Sequence, residues 1–144
     1  MSDRVRVLVV DDSAFMRHII STQLQTDRLI QVLDTARDGL DALEKVRKLR
    51  PDVVVLDVEM PNLDGIATLT TMMAECPVPT IMLSSSTLEG TKSATQALLA
   101  GATDFICKPS GPIPGDTNQM RDELVTKVKL AASNRMSPQN TPTL

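Results

Sequence analysis

At 144 residues the chain is one domain's worth of sequence, long enough to bury a proper core. A hydrophobic share of 42% excludes wholesale disorder, and a net charge of −3 argues against a nucleic-acid or acidic-membrane surface on this domain. Phe15 and Phe105 are the only aromatic residues, so the core must be built from aliphatic side chains, Ala and eight Met. Cys76 and Cys107 have no zinc-type spacing and make no disulfide framework. They suit a reduced cytosol and read as small buried apolar filler. The first apolar run breaks on Asp11-Asp12, which is not the pattern of a signal peptide. No apolar stretch is long enough to span a bilayer, so membrane insertion is not expected and the expected location is cytoplasmic.

Val5 to Val10 reads as a first buried strand ending on Asp11 and Asp12. Ser13 can cap a helix in which Phe15, Met16, Ile19, Ile20, Gln23 and Leu24 follow a helical period. Ile30 to Thr35 is a second strand, and Asp38-Gly39 a turn or cap. Leu40, Leu43, Val46 and Leu49 suit one face of a second helix, which Pro51 closes off. Val53 to Asp57 is a third strand, four apolar residues stopping at an acid. A turn with Pro61 and Asp64-Gly65 follows, and Gly65 opens a third helix using Ile66, Leu69, Met72 and Met73. Thr80 to Leu83 is a fourth strand ending in Ser84-Ser85-Ser86-Thr87. A fourth helix is expected over Thr91 to Ala100, with Gly101 at its C′ position. Asp104 to Cys107 is a fifth strand ending on Lys108-Pro109, followed by a Pro/Gly-rich loop from Ser110 to Gly115. A last helix from about Asp116 to Ala132 would bury Met120, Leu124, Val128 and Ala131. Residues 133–144, polar and carrying Pro138 and Pro142, read as a flexible tail or linker.

Five strand–helix alternations imply an α/β fold: a doubly wound, five-stranded parallel sheet. In the order 2-1-3-4-5, the first and third strands are neighbours at the switch point where such folds bind ligands. Asp11, Asp12 and Asp57 are thereby expected together, with Ser84 and Lys108 on the same edge. Three converging carboxylates repel one another and resist ionisation. A cation relieves this, and an oxygen-only ligand set suits Mg²⁺. Lys108 adds a mobile point charge able to hold a phosphoryl oxygen, and Ser84 a hydroxyl. A carboxylate among a metal, an ammonium and a hydroxyl is what formation of an acyl-phosphate on Asp57 requires.

The run Val9-Val10-Asp11-Asp12-Ser13, the run Leu56 to Gly65, Met82-Leu83-Ser84, and Gly101 through Phe105 to Lys108-Pro109 together resemble the receiver domain of bacterial two-component response regulators. The resemblance covers about residues 4 to 132 and implies a flavodoxin-like receiver fold with five helices. It implies that Asp57 accepts a phosphoryl group from the phosphohistidine of a histidine kinase. It further implies that Asp11, Asp12, Asp57 and the backbone carbonyl of Glu59 bind Mg²⁺ and that Lys108 contacts the phosphate. Ser84, or Ser85 beside it, would be the switch hydroxyl, Phe105 the aromatic that follows it inward, and the Lys108–Pro109 peptide cis.

Lys108-Pro109-Ser110-Gly111, Asp11 to Arg17, Thr35-Ala36-Arg37-Asp38-Gly39 and the Ser84 to Gly90 loop are similar to the regulatory domain of chemotaxis protein-glutamate methylesterases (CheB). That similarity implies residues 1–132 as the receiver and 133–144 as the start of an interdomain linker. It implies a chemotaxis histidine kinase as phosphodonor and a C-terminal methylesterase domain that demethylates and deamidates chemoreceptors, its block relieved by phosphorylation. His18, the sole histidine, is expected to be an ordinary helix residue, so a Ser-His-Asp triad does not reside in these residues. The chemistry expected of this chain is its own phosphorylation and dephosphorylation. The alternatives are the receiver of a DNA-binding regulator and a receiver that only docks. A haloacid-dehalogenase phosphatase would carry Asp-x-Asp after its first strand, and a flavodoxin would stack its flavin on aromatics scarce here.

Overall fold

The computed structural model describes residues 4–60, 64–84, 95–108 and 118–136, with no side-chain account of 134–136. Its elements run β1 (Val5–Val10), α1 (Ala14–Leu24), β2 (Ile30–Ala36), α2 (Gly39–Leu49), β3 (Val53–Asp57), α3 (Gly65–Glu75), β4 (Thr80–Ser84), α4 (helical at 95–100), β5 (Asp104–Cys107) and α5 (Asn118–Met136). All strand pairs are parallel, as the alternation of elements implies, and the sheet order is β2-β1-β3-β4-β5, the expected doubly wound order.

The central strands are apolar on both faces because helices cover both faces. On one face Leu8, Val10, Val54, Leu56 and Met82 pack with Leu43 and Val46 of α2, Leu69 and Met72 of α3, and Ala97 of α4. On the other, Val7, Val9, Val53, Val55, Ile81 and Leu83 pack with Ile20 and Leu24 of α1 and with Met120, Leu124, Val128 and Ala131 of α5. The two sets alternate along each strand with the period of two that a pleated backbone imposes.

Helix starts follow the expected chemistry. Ser13 caps α1 by accepting from Met16 N–H, Asp38 caps α2 from Asp41 N–H, and Asp64 caps α3 from Ala67 N–H. At the end of α2, Arg50 takes a left-handed conformation at φ 50°, and the Arg6 guanidinium donates to the carbonyls of Leu49 (2.8 Å) and Arg50 (3.0 Å). A cation from β1 thus satisfies carbonyls that the helix leaves orphaned. Gly101 follows α4 at φ +114°, a conformation that glycine adopts without penalty.

Several expectations need correction. Phe15 (62% exposed) and Leu40 (62% exposed) share the helical period of their neighbours but point to solvent, and Ala42 takes the core position on α2. Each lies within the first two residues of its helix, at the sheet's rim, where no layer among the described residues covers it. Cys107 is exposed and is not core filler, whereas Cys76 is half-buried and packs against the core. Cys107 ends a four-residue edge strand on the face opposite buried Ile106. β2 and β4 each extend one residue further than expected, to Ala36 and Ser84. α5 continues to Met136, past the expected end at Ala132, because neither Gly nor Pro interrupts the chain before Pro138. The start of the fourth helix, the Ser110–Gly115 loop, the alternative switch residue Ser85, the peptide to Pro109 and the linker beyond Met136 lie outside the described residues. Among the described residues, no helix is long and apolar enough to cross a membrane.

Candidate functional site

Strand register builds the site. Val10 on β1 pairs with Leu56 on β3, so the next residues, Asp11 and Asp57, are brought side by side. Both continue the alternation of Val9 and Val55, whose side chains lie on the α1/α5 face. Asp11 is fully buried and Asp57 is 2% exposed, whereas Asp12 stands in solvent. Carboxylate oxygens of the three lie within 4.8 Å of one another.

Lys108 arrives from the far side of the sheet. Its backbone N–H donates to the Ser84 carbonyl at 2.7 Å, continuing the β4–β5 ladder by one residue. Its ammonium donates to Asp11 Oδ2 at 2.9 Å and pairs with Asp57 Oδ1 at 3.3 Å. Asp57 Oδ1 also accepts from Glu59 N–H at 3.2 Å, and Asp11 Oδ1 from Ser13 N–H at 2.9 Å.

One ammonium does not balance three carboxylates. Burial pushes the Asp57 carboxyl up to about 7, and the negative charge of Asp11 pushes the same way. The Lys108 charge and the Glu59 N–H oppose that rise without cancelling it. Burial works against the Lys108 charge as well, but its bonds to Asp11 and Asp57 and their charges outweigh burial and hold its pKa above the ordinary value. The cluster therefore has room for one more positive charge. Its donors are all oxygens, with no His or Cys, and one acid is open to solvent. A hard divalent cation that keeps some of its waters fits this set, and a thiophilic metal does not.

The expected site residues take these places. Asp11, Asp12, Asp57 and Lys108 are brought together. Ser84 is buried at the end of β4, one position past Leu83, which pairs with Asp57. The side chain of Glu59 is exposed and lines, with Asp12, Met60, Asp64 and Gln96, an open cleft of about 410 Å³ beside the acids. Phe105 lies half-buried on β5, packed against the core on the α2/α3 face. Its carbonyl accepts from Lys127 of α5 at 2.9 Å. His18 is an exposed residue of α1, as expected.

Two contributors were not foreseen. Gly65 backs directly onto β3: a Cβ there would strike the Asp57 carbonyl oxygen and come within 2.6 Å of Val58 Cα. Gly65 N–H also donates to Val58 O at 2.9 Å, so the start of α3 is docked on the backbone that carries Asp57. The signal was a glycine in the first turn of an amphipathic helix, where a better helix former is expected unless backbone approaches closely. The other is Arg17, whose guanidinium donates to the Asp11 carbonyl at 2.7 Å.

Residues 7–114 match the family model described as the response regulator receiver domain. The chain belongs to the response-regulator receiver family. It is 57% identical over 137 residues to a protein-glutamate methylesterase/protein-glutamine glutaminase of Symbiobacterium thermophilum, covering 92% of this chain and 38% of that protein. The enzyme of the same description from Pyrococcus abyssi is 48% identical over 129 residues, covering 90% of this chain and 35% of that protein. The chain thus spans less than two-fifths of the length of these relatives. The crystal structure of the response regulator domain of Thermotoga maritima CheB superposes with a TM-score of 0.83 at 45% identity, covering 90% of this chain and 97% of that one. A CheX–CheY complex of Borrelia burgdorferi, crystallised with BeF3 and Mg, superposes at 0.71 with 31% identity and 87% coverage of both chains. Fold, family and relatives agree on a receiver domain of the CheB type.

Proposed function

We propose that Asp57 is a phosphoacceptor that takes a phosphoryl group from the phosphohistidine of a chemotaxis histidine kinase, with Mg²⁺ held by Asp11, Asp12, Asp57 and the Glu59 carbonyl. The observation that carries this is the three-carboxylate cluster, two of its acids buried, with a single ammonium shared between those two. The Borrelia relative's complex with BeF3 and Mg supports the same ligand chemistry. When bound, the cation supplies positive charge that lets Asp57 ionise and screens the transferring oxygens.

The chain's own residues do the rest. Asp57 is ionised and held by Glu59 N–H, which leaves a carboxylate oxygen to attack phosphorus. The new P–O bond forms as the P–N bond of the donor breaks, and its electron pair returns to the imidazole. Lys108, already within 3.3 Å of Asp57, neutralises charge on the transferred group. Ser84 hydrogen-bonds the phosphoryl oxygens, and Phe105 follows it inward. The phosphorylated domain relieves a block on a C-terminal methylesterase domain acting on chemoreceptors in the cytoplasm. Relatives described as methylesterase/glutaminase, of which this chain covers 38% and 35%, support that output.

The test is intact mass after incubation with Mg²⁺ and acetyl phosphate. One phosphoryl adduct is expected, absent with EDTA and absent in Asp57→Asn. An adduct that persists in Asp57→Asn would assign the chemistry to another residue. No adduct on folded wild type would leave a domain that works by docking alone.

A further inference from the structure

The turn from β1 to α1 carries two of the three acids, and its shape is held by four groups of Asp11. The N–H donates to Ala36 O at 3.1 Å. Oδ1 accepts from Ser13 N–H at 2.9 Å and Oδ2 from Lys108 at 2.9 Å. The carbonyl accepts from the Arg17 guanidinium at 2.7 Å. The two carboxylate bonds occupy the oxygens that a cation needs, so they compete with metal binding. The Arg17 bond uses the backbone carbonyl and does not compete.

Arg17 is well placed to fix that carbonyl. Its own N–H donates to Ser13 O at 2.9 Å in the first turn of α1, and Ser13 caps that turn through Met16 N–H at 3.2 Å. The turn caps the helix, and the helix returns a cation to the turn. The fixed carbonyl belongs to the Asp11–Asp12 peptide, whose plane sets where Asp12 leaves the backbone. Asp12 is the exposed member of the cluster, so neither burial nor packing orients it.

We propose that Arg17 is a positioning residue for the cation site: it fixes the Asp11–Asp12 peptide so that Asp12 converges on Asp11 and Asp57. This rests on the reading of the cluster as a Mg²⁺ site. A residue that only stapled α1 to the sheet would affect unfolding and leave metal affinity alone. A guanidinium that acted only by its charge would repel a cation, and its removal would tighten binding. A positioning residue predicts the opposite.

Calorimetric titration of the full chain with MgCl₂ separates these cases, using Arg17→Met and Arg17→Lys, with Arg17→Ala in place of Met should Met prevent folding. Arg17→Met is expected to weaken Mg²⁺ binding about tenfold, the worth of one charge-assisted hydrogen bond. Arg17→Lys, which keeps a donor for the carbonyl, is expected to recover much of that loss. The amide resonances of Asp12 and Ser13 in metal-free protein are expected to shift in Met and stay near wild type in Lys. Unchanged or tighter Mg²⁺ binding in folded Arg17→Met, with wild type binding normally, overturns the positioning role and leaves the metal site standing. Wild type that binds no Mg²⁺ overturns both.

Discussion

Asp57→Asn should make the metal-free protein more stable at pH 8 and leave it nearly unchanged at pH 4. The Asp57 carboxyl is raised from 3.8 to about 7, chiefly by burial. A raised acid favours the folded state while protonated. Relative to that protonated form, stability is fully present below 3.8, falls as the pH climbs, and the loss is complete above about 7. The interval of about 3 pH units corresponds to a penalty of at most ~4 kcal/mol. Asparagine removes the charge but also the 3.3 Å pair with Lys108, which offsets part of the gain. A net stabilisation of about 1–3 kcal/mol at pH 8 is expected. Urea unfolding followed by far-UV circular dichroism in EDTA, at pH 4, 6 and 8, measures it without tryptophan. Added Mg²⁺ should then stabilise wild type by about 2.7 kcal/mol at a hundred times its Kd and the variant far less. An Asn variant no more stable than wild type at pH 8, or a difference independent of pH, would refute the claim that Asp57 is held at a cost.

Gly65→Ala should destabilise the fold by about 1–3 kcal/mol, because its Cβ meets β3 backbone rather than a movable side chain. The same urea titration checks it, and phosphorylation by acetyl phosphate should slow because the displaced backbone carries Asp57. Lys108→Met leaves two buried carboxylates without their ammonium and should cost about 3 kcal/mol at pH 8 in EDTA, less at pH 5 where Asp57 is protonated. Asp27, on the opposite rim, is held below its ordinary value by Leu29 N–H and by Lys129. Its contribution is present above pH 3.8 and lost as the pH falls through its lower folded value. The urea midpoint of wild type should therefore fall more steeply below pH 4 than that of Asp27→Asn.

What could be read from the sequence was what depends on neighbours along the chain. Runs such as Val53 to Leu56 have one reading in an α/β fold, and alternation implied a parallel sheet, but the order 2-1-3-4-5 came from the few arrangements that doubly wound folds adopt. Strand order then placed Asp11 beside Asp57, since parallel neighbours that end together present their next residues together. Exposure at the rim was less legible. Phe15, Leu40 and Cys107 have apolar or small side chains at positions whose covering layer depends on where helices begin, and periodicity carries no such information. Arg17 and Gly65 act on backbone atoms of the acid-bearing segments, so no pairing of side-chain chemistries announced them.

The site's central tension lies in its location on the sheet. β3 is buried along its whole length, so Asp57 cannot retreat to water when it ionises. Lys108 cannot follow it freely either, because its own backbone is tied to Ser84 at 2.7 Å. A change in charge at Asp57 must then be met by a shift of the shared ammonium away from Asp11, or by movement of the β4–β5 rim that carries it. Just inside that rim, on β5, Phe105 is half-buried, and its carbonyl is held from α5 by Lys127, which also pairs with Asp104 and Glu123. Breaking the Lys127 tie should loosen the rim without touching the acids. Lys127→Met should speed amide hydrogen exchange across β5 while leaving Mg²⁺ affinity unchanged. Equal exchange in the two proteins would show that the ladder to β4 alone fixes the strand.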